Sequence, residues 1–332
     1  MSENIILEKG MTVAEYKLES LLGTGTYGEV WKAIKDGTEQ VYAIKFLREC
    51  EEVDTIRFET EAKLMHEIDE KNIPKFYAEG IYKGLKYIVI EFVEGDTIEE
   101  AIEFNGVFSE KEIALFLLDL SKTLKQVWDS FQMMHRDIKP ENIIIKEDRT
   151  PILMDLGIAK IAGVTPDLTM TGTVVGTPVF MSPEQALGEK ESIDCRTDIY
   201  SLGATAYFMA IGLNPKKNAS MAEIVKKIIF SSYPSITEKA PNFSPYLASI
   251  IRNMTRRDLK KRYKNWGAVV KDLEKYLGSS NPQIKVDLDE SQFLTMDDFE
   301  PDEQIKEKVF STKQIILLII ITIILIAITL YI

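Results

Sequence analysis

A glycine-rich segment followed by two short alternating runs restricts the fold of this chain more than any other feature of its sequence. Residues 23–28 read GTGTYG and match the pattern GxGxxG, which dinucleotide-binding folds and chance loops also produce. In a dinucleotide-binding fold these glycines begin a helix, whereas here residues 29–34 alternate like a strand and the chain turns back through Asp36 and Gly37. The sequence therefore predicts a glycine loop between two antiparallel strands, where bare backbone amides can approach phosphate groups closely.

The strand after this turn carries a lysine on a defined face. Because side chains alternate along a strand, Val41, Ala43 and Lys45 share one face. Lys45 would lie under the glycine loop with its ammonium group at the phosphates, while Ala43 and Val30 would form an apolar wall for a purine ring. A lone strand lysine is otherwise expected to be solvent exposed, so this interpretation depends on residues 23–28.

A buried lysine needs a counter-charge, and residues 54–68 offer one. Their apolar positions have helical spacing at Phe58, Met65 and Ile68. Glu61 lies on the same inward side and is the expected partner of Lys45, with Glu59 as the alternative. Either carboxylate could instead be an exposed helix charge.

The two halves of the chain differ in secondary structure. The first 105 residues are strand-rich with one helix, and residues 109–277 are mostly helical. Ser109 and Glu112 form a capping box, after which apolar residues keep helical spacing. The sequence therefore predicts a small sheet lobe joined to a larger helical lobe.

Residues 135–142 read HRDIKPEN and are the most informative stretch. The other motifs are AIK at residues 43–45, DLG at 155–157, SPE at 182–184 and DIYSLG at 198–203. In order and spacing, these motifs and the glycine loop resemble the eukaryotic-like (Hanks-type) serine/threonine protein kinase family over residues 12–277. The SPEQ sequence at 182–185 resembles bacterial members. The resemblance implies an α+β, bilobal fold with a small β-rich N-terminal lobe and a large helical C-terminal lobe.

The resemblance also implies roles in phosphoryl transfer from ATP, which needs positioning and charge neutralisation more than covalent help. Asp137 would orient the substrate hydroxyl and accept its proton, and Lys139 would neutralise the transferring phosphoryl group. Asn142 and Asp155 would hold Mg²⁺ or Mn²⁺ through oxygen ligands. Lys139 resembles the serine/threonine branch of the family, so proteins with serine or threonine acceptors are the expected substrates.

The implied ATP site spans the glycine loop, two strands and a hinge at residues 90–93 that would read adenine through its backbone. Its expected residues are Leu22, Gly23, Thr24, Gly25, Thr26, Tyr27, Gly28, Glu29, Val30, Ala43, Lys45, Glu61, Glu91, Val93 and Ile144. Ile90 would lie at the back of this site and Ile144 under the base, although both could be ordinary core residues.

Other motif residues have expected structural roles. His135 should pack and hydrogen-bond rather than act as a base. Asp198 should open an apolar helix and brace the catalytic-loop backbone. Arg262 is the expected partner of Glu184. DLG departs from the commoner DFG at the packing residue but retains the carboxylate of Asp155.

Residues 165–181 form a threonine-rich segment that we expect to be autophosphorylated, since family members with an arginine at the position of Arg136 usually need a loop phosphate. The candidate sites are Thr169, Thr171 and Thr173. Thr177 is expected to bond to the catalytic loop near Lys139.

The end of the sequence predicts a membrane anchor. Residues 315–332 contain no charge and would span about 27 Å as a helix, against roughly 30 Å of hydrocarbon. A buried core helix is the alternative, but it would normally show a polar stripe. Residues 278–310 carry nine carboxylates against three lysines and read as a tether.

The predicted organisation is therefore an N-terminal extension over 1–11, a kinase domain over 12–277, an acidic juxtamembrane linker over 278–310 and a transmembrane helix over 311–332. Lysines before the apolar run favour a cytoplasmic kinase domain. We expect a tail-anchored, single-pass protein of the cell membrane, with the lipid bilayer as a partner through residues 315–332.

Charge and cysteine content exclude several functions. The 40 basic and 52 acidic residues give a net charge of −12, which argues against binding nucleic acid. Cys50 and Cys195 lie far apart and indicate neither a disulfide framework nor a structural zinc. Two alternatives to a protein kinase stay open, a pseudokinase scaffold and a kinase-fold enzyme acting on small molecules. The sequence does not decide whether the chain forms a homodimer.

Overall fold

The protein has a β-rich N-terminal lobe and a helical C-terminal lobe, as the sequence predicts. The computed structural model describes residues 6–25, 28–47, 62–63, 65–155, 178–213 and 220–278. These residues all belong to one unit of the chain, Met1–Val286.

The N-terminal lobe is built on an antiparallel sheet with the strand order β1-β2-β3-β4-β6-β5. Its strands are β1 (Thr12–Val13), β2 (Tyr16–Gly25), β3 (Gly28–Lys35), β4 (Val41–Leu47), β5 (Phe76–Tyr82) and β6 (Leu85–Glu91). The predicted turn at Asp36 and Gly37 joins β3 to β4, with Gly37 in the left-handed region at φ 71°. Residues 62–63 and 65–67 are helical.

The alternation of β4 divides the core of this lobe into two layers. Tyr42, Ile44 and Phe46 pack into a cluster on one face of the sheet. Ala43 and Leu47 pack into a second cluster, which also includes Val127 and Phe131 of the helical lobe. Because Lys45 follows Ala43 by two residues, it lies on the face of the sheet that meets the other lobe.

A second small sheet and eight α-helices make up the rest of the described chain. The sheet has the order β7-β8-β9, from β7 (Asp96–Thr97), β8 (Ile143–Ile145) and β9 (Pro151–Leu153). The helices are α1 (Ile98–Asn105), α2 (Glu110–Phe131), α3 (Pro183–Ala186), α4 (Cys195–Ile211), α5 (Met221–Phe230), α6 (Ile236–Lys239), α7 (Pro245–Met254) and α8 (Trp266–Gly278). Short 3₁₀ turns occur at Pro140–Asn142, Pro178–Phe180 and Lys190–Ser192.

Local signals set where the helices begin. The predicted capping box is present at the start of α2, where Ser109 accepts from the Glu112 amide and the Glu112 side chain accepts from the Ser109 amide. The predicted apolar positions of α2 are all buried, and they are Ile113, Phe116, Leu117, Leu120 and Leu124. The helix therefore buries one face, as its periodicity requires.

Two expectations about helices are wrong. The first 105 residues contain α1 in addition to the predicted helix, because Thr97 and Glu100 form a further capping box. Asp198 does not open the apolar helix, which begins at Cys195 with Asp194 as its N-cap. Asp194 accepts from the Arg196 amide at 2.9 Å, so an aspartate cap four residues before Asp198 starts the helix.

The helical lobe is organised around α4. This helix is buried along most of its length, and α2, α7 and α8 pack with it into one apolar core. A helix surrounded on nearly all sides needs no polar stripe, which explains why apolar and small residues fill most positions from Ile199 to Ile211. Within the part of the chain that the structure describes, no helix combines the length and apolar character needed to cross a bilayer. The predicted span at 315–332 lies outside the described residues.

Candidate active site

The carboxylate of Asp198 holds the backbone of the loop at residues 135–142. One carboxylate oxygen, Oδ2, accepts from the His135 amide at 2.6 Å, and the other, Oδ1, accepts from the Arg136 amide at 2.7 Å. Asp198 is buried, and burial raises the pKa of its carboxyl group, while His135 and the two amide donors oppose this shift. The predicted brace is thus present one turn inside α4.

The side chains of Asn142 and Lys139 contact the carboxylate of Asp137 in this loop. Asn142 Nδ2 donates to Asp137 Oδ2 at 3.0 Å and to the Asp137 carbonyl oxygen at 2.9 Å. Lys139 Nζ lies 3.3 Å from Asp137 Oδ2. About a third of the Asp137 side chain is exposed, 33 %, so its carboxylate is oriented and still accessible from solvent. Asn142 uses its amide nitrogen for both bonds, which makes Oδ1 the atom suited to a cation.

The β8–β9 hairpin brings Asp155 next to this loop. The Met154 amide donates to the Asn142 carbonyl oxygen at 2.8 Å, which ties the residue before Asp155 to the end of the loop. Asp155 adopts φ 49°, a left-handed conformation that is unusual for a residue with a side chain. Such a backbone is maintained only where the surrounding structure enforces it.

Lys45 contacts Asp155 across 110 positions of sequence. The distance from Lys45 Nζ to Asp155 Oδ1 is 3.1 Å. The lysine ammonium holds the pKa of the Asp155 carboxyl below its ordinary value, against the opposing effect of partial desolvation. Asp155 is therefore an anion at neutral pH, with 57 % of its side chain exposed.

The chemistry of these oxygen donors fits a magnesium ion. Mg²⁺ is usually held by one or two protein carboxylates together with the substrate phosphates, and it keeps several waters. The ionised Asp155 and Oδ1 of Asn142 are hard oxygen ligands of this kind. Among the described residues, no group of three or more His, Cys, Asp or Glu side chains could hold a metal ion without such help.

The glycine loop continues the register of the sheet above these groups. Gly25 pairs with Gly28, Gly23 pairs with Val30, and Val30 pairs with Lys45. A Cβ atom on Gly28 would overlap the carbonyl oxygen of Phe46, so the close approach of β3 to β4 requires glycine there. The same pairing aligns the glycine loop, Val30 and Lys45 across three adjacent strands.

Apolar residues line the sheet next to Lys45. Val30, Ala43 and Ile90 pack in one cluster on the face that meets the helical lobe. Val93 is buried in the segment after β6, and Ile144 is half-buried on β8, where it pairs with Thr97. These positions suit an apolar slot for a flat base.

Two predicted cofactor residues, Glu29 and Glu91, do not direct their side chains into this slot. Glu29 accepts a hydrogen bond from Trp31 Nε1 at 3.0 Å, on the opposite face of β3 from Val30. Glu91 accepts from the Lys75 amide at 3.3 Å and lies 3.7 Å from Lys146 Nζ. Leu22 and Thr24 are exposed on β2. Glu29 and Glu91 could therefore contact a nucleotide only through their backbones.

The expected structural pairs are present. Glu184 and Arg262 form a buried bidentate ion pair, with Nη1–Oε1 at 2.7 Å and Nη2–Oε2 at 3.1 Å. His135 is buried, and its Nε2 lies 2.9 Å from the Met154 carbonyl oxygen. His135 thus packs and hydrogen-bonds, as predicted.

Several predicted residues lie outside the described part of the chain. They are Thr26, Tyr27, Glu61, Thr169, Thr171, Thr173 and Thr177. Their predicted roles, including the pairing of Glu61 with Lys45, stay predictions.

Sequence reasoning missed two residues that support the site. Asn72 is buried between β9 and α2, where it donates to the Pro151 carbonyl oxygen at 2.7 Å and accepts from Thr123 at 2.8 Å. Gln185 donates to the Arg136 carbonyl oxygen at 3.1 Å. Both residues join segments that are distant in sequence. The sequence offers no signal for Asn72, whereas the glutamine at the third position of a capping box is a signal for Gln185.

Comparison with known proteins identifies the class to which this fold and site belong. The sequence matches the family model of the protein kinase domain over residues 16–272. The chain therefore belongs to the protein kinase domain family.

Individual relatives agree with this assignment. A probable serine/threonine-protein kinase of Clostridium acetobutylicum is 32 % identical over 262 residues, which cover 78 % of this chain and 39 % of that protein. The probable serine/threonine-protein kinase PknB of Lactococcus lactis is 31 % identical and covers 75 % of this chain and 40 % of its own length. The aligned part of the chain thus spans about two fifths of these relatives.

The fold is also found among solved structures. A crystal structure of Rad53 1-466 in complex with AMP-PNP matches with a TM-score of 0.65 and 20 % sequence identity. The match covers 78 % of this chain and 64 % of that chain, and at this identity it establishes the shared fold.

Proposed function

We propose that this chain is a serine/threonine protein kinase that transfers the terminal phosphoryl group of ATP to serine or threonine hydroxyls of proteins. The observation that carries the proposal is the convergence of Lys45, Asp137, Asn142 and Asp155 at the meeting of the two lobes. The names of the bacterial relatives support the reaction, and the AMP-PNP complex of the Rad53 structure supports a nucleotide donor.

In this reaction Asp137 would accept the proton of the acceptor hydroxyl as its oxygen attacks the terminal phosphorus of ATP. Asn142 and Lys139 keep the carboxylate oriented, and Lys139 offsets negative charge on the transferring group. The bond from that phosphorus to the bridging oxygen breaks, and ADP leaves with the electron pair. The register of Lys45 under the glycine loop suits contact with the remaining phosphates.

Asn142 and Asp155 would hold the magnesium ion that accompanies ATP. When bound, the ion supplies positive charge that offsets the charge of the phosphates. Lys45 then has two anionic neighbours, Asp155 and the nucleotide, and its ammonium group would bind between them.

Transfer of labelled phosphate from ATP to a generic protein substrate tests the proposal, using the full chain in detergent micelles. Asp137→Asn should lower kcat by about 10²–10⁴-fold, because the acceptor proton loses its base. Lys45→Met should weaken ATP use, whereas Lys35→Met, which removes an exposed pair with Glu15, should leave it intact.

The outcomes separate the proposed activity from its alternatives. Transfer that survives both site substitutions would overturn the residue assignment. A parent chain that binds ATP but transfers nothing would favour a pseudokinase scaffold. Transfer to aminoglycosides or choline, but not to protein, would favour a small-molecule kinase.

The activation of the kinase is the second part of the proposal. We infer that one of Thr169, Thr171 and Thr173 is autophosphorylated, because Arg136 precedes Asp137 and three threonines follow within one short segment. Mass spectrometry of an active sample should find phosphate on this segment, and the Asp137→Asn chain should lack it. An active parent without modification there would refute the inference.

We further propose that residues 315–332 anchor the kinase in the cell membrane. Their uncharged, apolar sequence supports the proposal. Deletion of residues 311–332 should move the chain from the alkaline-carbonate-resistant membrane fraction to the supernatant. Retention of the deleted chain in the membrane fraction would contradict the anchor.

A further inference from the structure

Four helices of the described chain begin with a capping box, and one of them differs at its third residue. Helices α1, α2 and α5 use glutamate, namely Glu100, Glu112 and Glu223. Helix α3 uses Gln185 with Ser182 as the N-cap. Glutamate and glutamine serve a capping box equally well, so capping alone does not explain the amide at this position.

The two ends of the Gln185 amide perform different tasks. Oε1 accepts from the Ser182 amide at 3.2 Å and from Ser182 Oγ at 3.2 Å, which is the capping function. Nε2 donates to the Arg136 carbonyl oxygen at 3.1 Å. A glutamate carboxylate could accept the first two bonds, but it has no proton for the third.

The acceptor of this third bond lies in the backbone next to the proposed base. The Arg136 carbonyl belongs to the peptide group that also contains the Asp137 amide nitrogen. Arg136 has φ 62°, a strained conformation for a residue with a side chain, and its own amide is held by Asp198 Oδ1 at 2.7 Å. Asp198 thus holds the peptide before Arg136, and Gln185 holds the peptide after it.

We propose that Gln185 is a positioning residue, which holds the Arg136–Asp137 peptide in the orientation for phosphoryl transfer and links the turn at residues 182–185 to the catalytic loop. The inference rests on the proposed function, because it assigns a task within the same site. Gln185 itself would touch neither ATP nor the acceptor.

Gln185→Glu tests this role without removing the cap. It retains the acceptor for Ser182 and loses the donor to Arg136. We expect kcat to fall about tenfold, the effect of one lost hydrogen bond in a positioned loop, while KM for ATP and Tm stay near the parent values. Gln185→Met removes donor and acceptor without adding a charge, and it should lower kcat similarly and Tm slightly.

Glu223→Gln is the matched control, since it makes the same exchange in reverse in an exposed capping box at the start of α5. Its kcat should equal that of the parent. A Gln185→Glu chain with parental kcat would overturn the proposal. A fall in kcat that accompanies a similar fall in Tm in all three variants would also overturn it, because general destabilisation would then account for the loss of activity.

Hydrogen exchange supplies a readout that needs no transferase activity. Amides of residues 135–138 should exchange faster in Gln185→Glu than in the parent or in Glu223→Gln. If the parent transferred no phosphate, the proposed function would fail, but the exchange rates would still decide whether Gln185 orders the loop. Unchanged exchange in Gln185→Glu would reject the positioning role.

Discussion

Replacement of Arg262 by methionine should destabilise the helical lobe strongly, because it leaves the buried carboxylate of Glu184 without its counter-charge. The side chains of Arg262 and Glu184 are 0 % and 3 % exposed. The guanidinium group also donates to the carbonyl oxygens of Arg256 at 2.8 Å, Arg196 at 2.8 Å and Arg257 at 3.3 Å. It further lies 4.9 Å from the ring centre of Tyr200.

These contacts determine how much stability Arg262→Met should cost. Removing one partner of a buried ion pair destabilises a protein by about 3–5 kcal/mol. Since three carbonyl oxygens lose a donor as well, the upper end, about 5 kcal/mol, is expected for Arg262→Met. For a domain of this size each kcal/mol lowers Tm by about 2–4 °C, so the expected fall in Tm is about 10–20 °C.

Thermal unfolding of the full chain in detergent, followed by far-UV circular dichroism, measures this change. Adding Glu184→Gln to Arg262→Met should recover part of the loss, because the uncompensated charge is then gone. Lys35→Met, which removes an exposed ion pair with Glu15 at 3.1 Å, should change stability by less than about 1 kcal/mol. Equal shifts in Tm for Arg262→Met and Lys35→Met would refute the reasoning, and so would the absence of any recovery in the double variant.

Two further predictions concern the ATP site. Gly28→Ala should destabilise the N-terminal lobe by about 2 kcal/mol or more, because the new methyl group meets the Phe46 carbonyl oxygen. Gly23→Ala is the control and should leave Tm nearly unchanged, since the space around Gly23 is open. Similar Tm values for the two variants would contradict the close approach of β3 to β4. Because Lys45 lowers the pKa of Asp155, the carboxylate contributes its full stabilisation above about pH 4 and loses it as the pH falls through the lowered pKa. Thermal unfolding measured at a series of pH values from neutral to below about pH 4 should therefore show that Tm falls more steeply with pH in the parent than in Lys45→Met. Equal dependence of Tm on pH in the two chains would disprove the interaction of Lys45 with Asp155.

Elements with strong local signals were predicted well from the sequence. The β3–β4 hairpin follows from alternation and a turn at Asp36 and Gly37, and α2 follows from its capping box and apolar periodicity. The start of α4 was missed because Asp194 and Asp198 are both acceptable caps in the sequence. Only the observed bonds, from the Arg196 amide to Asp194 and from the loop amides to Asp198, distinguish their roles.

The candidate site was predicted unevenly. Motif resemblance identified Asp137, Asn142 and Asp155 as residue types suited to phosphoryl transfer, and the Glu184–Arg262 pair was anticipated. The orientations of the Glu29 and Glu91 side chains were not anticipated, because a motif names the residues of a site without specifying whether the side chain or the backbone faces the ligand.

By itself, the sequence determined the turn at Asp36 and Gly37, the capping box at Ser109, the alternation of β3 and β4 and the set of polar residues available for chemistry. These properties depend on neighbours within a few positions, and short-range periodicity expresses them directly. Only the tertiary structure decided that Lys45 meets Asp155 and that Gln185 reaches the Arg136 carbonyl oxygen. Such contacts depend on how whole lobes and loops pack, and this packing is the sum of many small interactions that no local pattern records.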